Sequence, residues 1–437
     1  MLETMTQYPL SAGQRSMLYH HLLYPKSYGN YEFQHFVLKG SLREDFLRRA
    51  WRAVYARHPA LRTRIEWNAR NQPVQIVDYA IPDITIVSGK DKRTFFDNIR
   101  LARSKRYRVE LTKRIFMVII WLHSGHADVY LHTHHIIYDG WSTSILLRDF
   151  LQAYRQMQDQ TISLGNPTPH FTQMRAGQTE LEGAERFFRQ YLKGYRQSLP
   201  SREYEGYSFG SKGYWRQKIP VSYTQLQQAA DRFQVTAAAL TIAVIGSALC
   251  RFYRAEDMIS GVVFSGRSPF WPCVESIVGP FLNVLPLRLP PWALWEQSRL
   301  SYIRSVGWNL IALGEHQTIP WPEILERLEE QRWLSFPAVI AFQNYPIDSQ
   351  ISSAMDDGLE IEYLGSRYYP LNDLCVEVKL LGEACTLELC YTKSRFDSKT
   401  IQKLAQDILE RLQTTTQSEK GEAWSTTAYP QILHGTP

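Results

Sequence analysis

His132-Thr133-His134-His135-Ile136-Ile137-Tyr138-Asp139-Gly140-Trp141-Ser142 gathers three imidazoles, a carboxylate and a glycine turn into one short stretch. Upstream, Asp128 to Leu131 alternates as a strand does, and Ile115 to Trp121 is apolar enough to be its buried neighbour. Downstream, Ile145, Leu146, Phe150 and Tyr154 recur at helical spacing, with Ser142 or Thr143 available as the helix cap. The stretch therefore sits where a strand gives way to a helix, and an α/β fold is expected. If the strand runs on to His135, alternation places Val129, Leu131, Thr133 and His135 on one face and Tyr130, His132 and His134 on the other. Adjacent histidines then point opposite ways and do not share one task. Asp139-Gly140 is a strong turn dipeptide.

Imidazole titrates nearest neutrality, so a histidine here can take a proton from an amine or hydroxyl while that group attacks a carbonyl. Asp139 could orient the ring, or instead bind a cation and brace the turn. Gly140 lets a substrate approach bare backbone, and its N–H can face a developing oxyanion. Two other readings compete: a polar strand end without chemistry, and a zinc site on His132, His134 and Asp139. No cysteine lies near and no second histidine pair has helical spacing, so no metal is expected.

At 437 residues the chain is too long for one ordinary core, and two lobes are expected. Hydrophobic content of 44% and charge of 21% fit a soluble globular protein. A net charge of +6 is mild for this size, and without a long basic run it argues against nucleic acid as a partner. Cys250, Cys273, Cys375, Cys385 and Cys390 form no C-x-x-C pair and read as reduced core residues of a cytoplasmic protein. Met1 to Gln7 has neither a basic flank nor an apolar run, and no stretch reaches membrane-spanning length, so no signal peptide and no membrane partner are expected.

Ser41 with Glu44 reads as a capping box for a helix whose buried stripe is Leu42, Phe46, Ala50, Ala53 and Val54, ended by His58-Pro59. Arg62 reads as a fold-bracing cation. Between Gln160 and His170 the apolar rhythm breaks into Gly, Asn and Pro, which suggests a crossing between lobes. The expected division is a first lobe over 1–170, a second over 171–413, and a polar tail or linker stub over 414–437. In the second lobe, Thr236 to Tyr253 reads as a helix, Met258 to Phe264 as a strand ending in the turn Ser265-Gly266-Arg267, and Ser398 to Leu412 as a helix with Ile401, Leu404, Ile408 and Leu412 on one face. No sequence repeat is visible.

The paired histidines followed by Asp139-Gly140-Trp141-Ser142 resemble the signature of the condensation domains of non-ribosomal peptide synthetases, which belong with the chloramphenicol acetyltransferase-like acyltransferases. Other segments resemble that family in order: Tyr8-Pro9-Leu10-Ser11-Ala12-Gly13-Gln14-Arg15, then Arg57-His58-Pro59-Ala60-Leu61-Arg62-Thr63, then Ile277 to Arg288. Weaker matches are His316 to Glu323 and Phe342-Gln343-Asn344-Tyr345-Pro346. The fourth motif, around His170 to Met174, is barely recognisable, and Pro59 stands where an acidic residue is common. Aspartates that replace the paired histidines in heterocyclisation relatives are absent, and Gly140 favours condensation over epimerisation.

The resemblance implies two chloramphenicol acetyltransferase-like lobes forming a V-shaped pseudo-dimer with a central tunnel. It implies amide formation, by transfer of a carrier-bound acyl or peptidyl thioester to the amine of an acceptor on a second carrier. Both substrates would hang from phosphopantetheine arms of donor and acceptor peptidyl carrier proteins or domains, so no cofactor is bound to this chain itself, which would be part of a larger multidomain synthetase. By the same resemblance His135 is the catalytic residue, as base or as stabiliser of the tetrahedral intermediate, with Gly140 beside it. His134 is scaffold, and Asp139 pairs with Arg288. Trp141 and Ser142 read as packing and capping residues, with Trp141, Asn283 and Gln343 placed along the tunnel. A free-standing CoA-dependent N- or O-acyltransferase and a non-catalytic carrier-docking domain are the alternatives.

Overall fold

The structure is a computed structural model that describes residues 6–25, 29–78, 84–88, 111–113, 115–123, 125–156, 164–195, 212–328, 336–344, 359–368 and 370–417. The first half contains β1 (Thr6–Pro9), α1 (Ala12–Leu23), β2 (Tyr31–Lys39), α2 (Glu44–Arg57), β3 (Thr63–Trp67), β4 (Pro73–Val77) and β5 (Ile84–Ser88). It continues through the hairpin β6 (Phe116–His123) and β7 (His126–His134) into α3 (Gly140–Gln156). The second half begins with α4 (Gln178–Tyr191), β8 (Lys212–Lys218), α5 (Tyr223–Phe233), α6 (Ala237–Tyr253), β9 (Met258–Phe264) and β10 (Asn283–Leu289). Then come α7 (Trp292–Gln297), α8 (Arg299–Gly314), α9 (Trp321–Arg327), β11 (Val339–Gln343), β12 (Glu360–Tyr368), β13 (Leu374–Leu381), β14 (Ala384–Thr392) and α10 (Ser398–Gln417).

Two larger sheets organise these elements, in the orders β12-β2-β7-β6-β5 and β10-β9-β11-β13-β14-β8, each with its own hydrophobic core, and β1-β4-β3 form a third, smaller sheet. The expected two-lobed α/β architecture is therefore present, with one crossing that the sequence did not suggest. Strand β12 belongs to the second half but pairs antiparallel with β2, completing the first sheet. Ile277, Val278 and Leu359 likewise pack into the first core. Residues 160–163 of the expected crossing between lobes lie outside the described residues, as do those beyond Gln417, and α10 runs past its expected end at Leu412 to Gln417, into the start of the expected tail.

The two sheets repeat one topology. Four neighbours of the first, β2-β7-β6-β5, are matched by β8-β14-β13-β11, and the pairings run antiparallel, antiparallel and parallel in both. Phe116 faces Thr133 and His123 faces His126 in one hairpin, while Leu374 faces Tyr391 and Leu381 faces Ala384 in the other. Each hairpin feeds a helix across a loop of the same length, residues 135–139 and 393–397. Asp139 accepts from Ser142 N (2.9 Å) and Ser142 Oγ (2.7 Å); Asp397 accepts from Thr400 N (2.8 Å) and Thr400 Oγ (2.6 Å). Thr392 and Lys393 occupy the places of His134 and His135, so the repeat carries an imidazole pair in one lobe only.

Several local expectations shift. Helix α2 starts at Glu44 with Arg43 as its uncapped N-cap, because Tyr154 Oη donates to Ser41 O and accepts from Arg43 N. Its fully buried face is Leu47, Ala50, Trp51, Val54 and Tyr55, with Leu42, Phe46 and Ala53 only partly covered. His58 ends the helix as expected, and Arg62 braces the turn by donating to Tyr55 O and Asp78 O. Strand β9 and the cap of α6 at Thr236 fall where the sequence places them. Four cysteines are buried thiols, but Cys273 is exposed. No single helix among the described residues is long and apolar enough to cross a membrane; α6 is apolar because it is buried in the second core.

Candidate active site

Strand β7 ends at His134, yet the His135 N–H still donates to Asn30 O at 2.8 Å, so the pairing of β7 with β2 persists one step further. Alternation separates the two histidines as expected. The His134 ring lies edge-on to Tyr31, on the face where His132 stacks against Phe33. His135 turns to the opposite face, where its Nε2 lies 3.3 Å from Glu32 Oε2. Its Nδ1 donates to Tyr138 O at 3.0 Å, which leaves Nε2 as the reactive nitrogen. Tyr368, from the crossing strand β12, sets its ring perpendicular to His135 at a centroid distance of 4.7 Å.

His134 is fully buried and accepts from Ile136 N through Nδ1. Burial, reinforced by the neighbouring His21 and His135, drives its pKa well below the usual histidine value. It braces the loop as a neutral ring. His170 is also neutral: it stacks on Tyr8 and contacts Thr63 Oγ1 and Thr172 Oγ1, and burial, aided by Arg62, lowers it to about 3. Both folded-state values lie below the unfolded value of 6.5, so the unfolded chain takes up these protons first as pH falls. The stability the neutral His170 ring contributes is complete above about pH 6.5 and is lost between there and about pH 3, and that of His134 is likewise lost as pH falls below about 6.5. Urea unfolding at pH 7 and pH 5 is expected to show a loss of about 2 kcal/mol from His170 alone. His170→Gln should remove that share of the pH dependence; an unchanged dependence would contradict the assignment.

Asp139 caps α3, the role expected of Ser142 or Thr143, and every lone pair of its carboxylate is engaged from elsewhere. Besides Ser142 N and Oγ, it accepts from Phe281 N at 3.1 Å and from Arg267 Nη2 at 3.1 Å to each oxygen. Arg267 is itself buried: Nη1 donates to Val274 O and Ile277 O at 2.8 Å, and the guanidinium lies over the Phe281 ring. Ser142 Oγ and Gly279 add a second contact between the halves. Two glycines permit the closeness. Gly266 has φ +65° and would put a Cβ 1.7 Å from Phe281 O, and a Cβ on Gly279 would press into Phe171 at 2.5 Å. The Asp139 carboxylate is thus a clamp between lobes and does not orient His135.

Arg288, the expected partner of Asp139, sits elsewhere. It forms a bidentate pair with Asp257 at 2.6 and 2.8 Å, toward the far end of β10. The length of β10 from Asn283 to Arg288 is about 16 Å at the usual strand rise, too far for one side chain to bridge. Asn283 is also recast. Its amide donates to Gln317 O and Ile319 O and accepts from Trp321 N, so it braces the chain entering α9.

Two cavities are walled by both halves of the chain; one touches the loop at Asp139 and Gly140, and neither is lined by His135 itself. One, of about 390 Å³, is walled by Asp139, Gly140 and Trp141 from the first half and by Ala237, Phe264 and Gln343 among others from the second. Gly140 begins α3, where helix geometry leaves the first N–H groups without intrahelical acceptors. The other, of about 470 Å³, is lined by Phe33 and Tyr130 on the first sheet, by Tyr368 that covers His135, and by Trp215, Glu377 and Lys379 from the second. His132, His134 and Asp139 do not converge on one point, and no group of three metal-ligating side chains occurs among the described residues.

The Condensation domain family model matches residues 4–426. Among curated proteins, one of the linear gramicidin synthase polypeptides of Brevibacillus parabrevis is 28% identical over 434 residues, spanning 94% of this chain and 5% of that protein. Bacitracin synthase 1 of Bacillus licheniformis is 25% identical over 431 residues, spanning 92% of this chain and 8% of that protein. The chain thus spans a small part of the relatives it matches. Among solved structures, the first condensation domain of the calcium-dependent antibiotic synthetase with a substrate analogue superposes with TM-score 0.74 at 16% identity, covering 94% of this chain and 96% of that one. The starter condensation domain of rhizomide synthetase with C8-CoA gives 0.76 at 15% identity, covering 94% of each chain.

Proposed function

The chain belongs to the Condensation domain family, and from that premise we propose that it forms an amide by passing a carrier-bound acyl or peptidyl thioester to the amine of an acceptor on a second carrier. One observation carries the reading: two cavities are each walled by both lobes, one reaching Asp139 and Gly140 and the other reaching Tyr368, whose ring packs on His135. A two-substrate transfer needs such a divided site, with one thioester arm entering from each side and meeting at the loop.

The chemistry divides between positioning and one proton transfer. Holding amine and thioester in attack geometry supplies about 7–11 kcal/mol. His135 Nε2, its ring fixed through Nδ1 by Tyr138 O, takes the proton as the amine attacks and returns it to the departing thiolate. The N–H groups opening α3 face the carbonyl oxygen as it gains charge. Gln343 and Trp141 wall the adjoining cavity. The donor and acceptor carriers, and the phosphopantetheine arms they present, are the partners this reading requires. Curated relatives being large synthetases supports a place inside a multidomain assembly.

Parallel reactions with the same acyl group on a carrier protein and on CoA test the reading. Amide formation at least about 100-fold faster from the carrier is expected, since positioning by a docked partner is what the site exploits. Equal rates from CoA with a soluble amine would establish a free-standing acyltransferase, and carrier binding without product would establish a docking domain.

A further inference from the structure

Glu32 is a buried carboxyl at the reactive face of the signature histidine, and neither the motif nor the mechanism above uses it. It projects from β2 opposite Thr133 and is 5% exposed. Oε1 accepts a hydrogen bond from Gln34 Nε2, and Gln34 Oε1 in turn accepts from Tyr363 Oη of the crossing strand β12 at 2.5 Å. Oε2 takes no hydrogen bond from any described residue and lies 3.3 Å from His135 Nε2. One oxygen is anchored and the other lies beside the ring nitrogen that Tyr138 O leaves reactive, close to it but out of hydrogen-bond alignment.

We propose that Glu32 is a positioning residue for His135: its carboxylate, beside Nε2 and out of line with it, stabilises the positive charge the ring carries while it holds the proton of the attacking amine, and leaves the Nε2 lone pair open to the substrate. The inference rests on the amide-forming reading. In that step the amine nitrogen bonds to the thioester carbon, its proton passes to Nε2, the C–S bond breaks, and the same proton leaves Nε2 for the thiolate sulfur. The imidazolium exists only between those transfers, and a carboxylate beside Nε2 stabilises its charge there, as a carboxylate at the other ring nitrogen does in a serine-protease triad.

The surroundings act on the Glu32 charge in opposite directions. Burial raises the Glu32 pKa above the ordinary value, and His135 and Lys379 oppose the rise. The groups facing it are Gln34 on its own strand, His135, Tyr138 and Asp139 from the loop, Tyr363 and Tyr368 from β12, and Lys379 with Glu377 from β13. Lys379 is held by Glu377 and Glu388 at 3.4 and 2.8 Å, so it faces Glu32 as a fixed charge without neutralising it directly.

Glu32→Gln keeps shape and the Gln34 contact but cannot hold the charge. With loaded donor and acceptor carriers, kcat is expected to fall about 10- to 100-fold while KM for each carrier stays within about twofold. The acid limb of the kcat profile should move to lower pH by about half a unit or more, and Glu32→Asp should recover part of kcat. A folded Glu32→Gln protein with wild-type kcat and an unmoved acid limb would overturn the proposal. If Glu32→Gln does not fold, Gln34→Met, which releases the anchored oxygen and leaves the charge, should lower kcat severalfold at constant KM, and an unchanged kcat would overturn it equally. Should the wild-type protein make no amide with any carrier pair, the functional reading fails; should it do so and Glu32→Gln match it, only this inference fails.

Discussion

His135→Ala is expected to lower amide formation by about 10²–10⁴-fold, the usual share of a positioned acid–base group, with carrier docking retained. The ring is held by one hydrogen bond to Tyr138 O, by Tyr368 and by the Glu32 contact, and none of these supports the core. Circular dichroism and carrier affinity should therefore match wild type while single-turnover product formation collapses. Some turnover should survive, because positioning of the two arms does not depend on the imidazole. A variant that condenses at the wild-type rate would remove His135 from the chemistry.

Arg267→Ala has the largest expected effect on stability, about 3–5 kcal/mol, because it leaves the Asp139 carboxylate buried beside Phe281 without its cation. Arg288→Ala, by contrast, breaks a pair with Asp257 that is about one-third exposed, and should cost about 1 kcal/mol or less. Urea unfolding of the two variants separates the alternatives directly. If Arg288→Ala were the more damaging, the clamp would be misassigned. Activity should follow the same order, since Asp139 caps α3 and sets the position of its first N–H groups. The Asp139→Ala and Arg267→Ala double variant should be less unstable than the sum of the singles, as expected for two groups that lose a common interaction.

Much of the fold and of the candidate site is legible in the residues. Period-2 alternation places β7 and the opposed faces of His134 and His135, and helical periodicity places α6 and α10. What escapes reading depends on contacts between distant segments. Arg267 follows a glycine turn whose purpose emerges only when Gly266 meets Phe281, whereas the pairing of Arg288 with Asp139 rests on resemblance to a motif. A buried aspartate does signal a buried guanidinium, but sequence cannot say which of the many arginines supplies it. Glu32 escapes because a lone carboxylate in a strand reads as an exposed residue, and only the β2–β7 register carries it beside His135. The repeat of the two lobes is implied by the resemblance and not by any visible sequence repeat, because the hairpins share a pattern of pairing and an aspartate cap while few side chains coincide.

The most direct test is a single-turnover reaction of donor-loaded and acceptor-loaded carriers with the wild-type protein and with His135→Ala, read by intact-protein mass spectrometry. The account predicts that the acceptor carrier gains the mass of the donor acyl group with the wild-type protein and gains almost none with the variant. Equal gain with both proteins, or release of the donor as free acid with no gain on the acceptor, would contradict it.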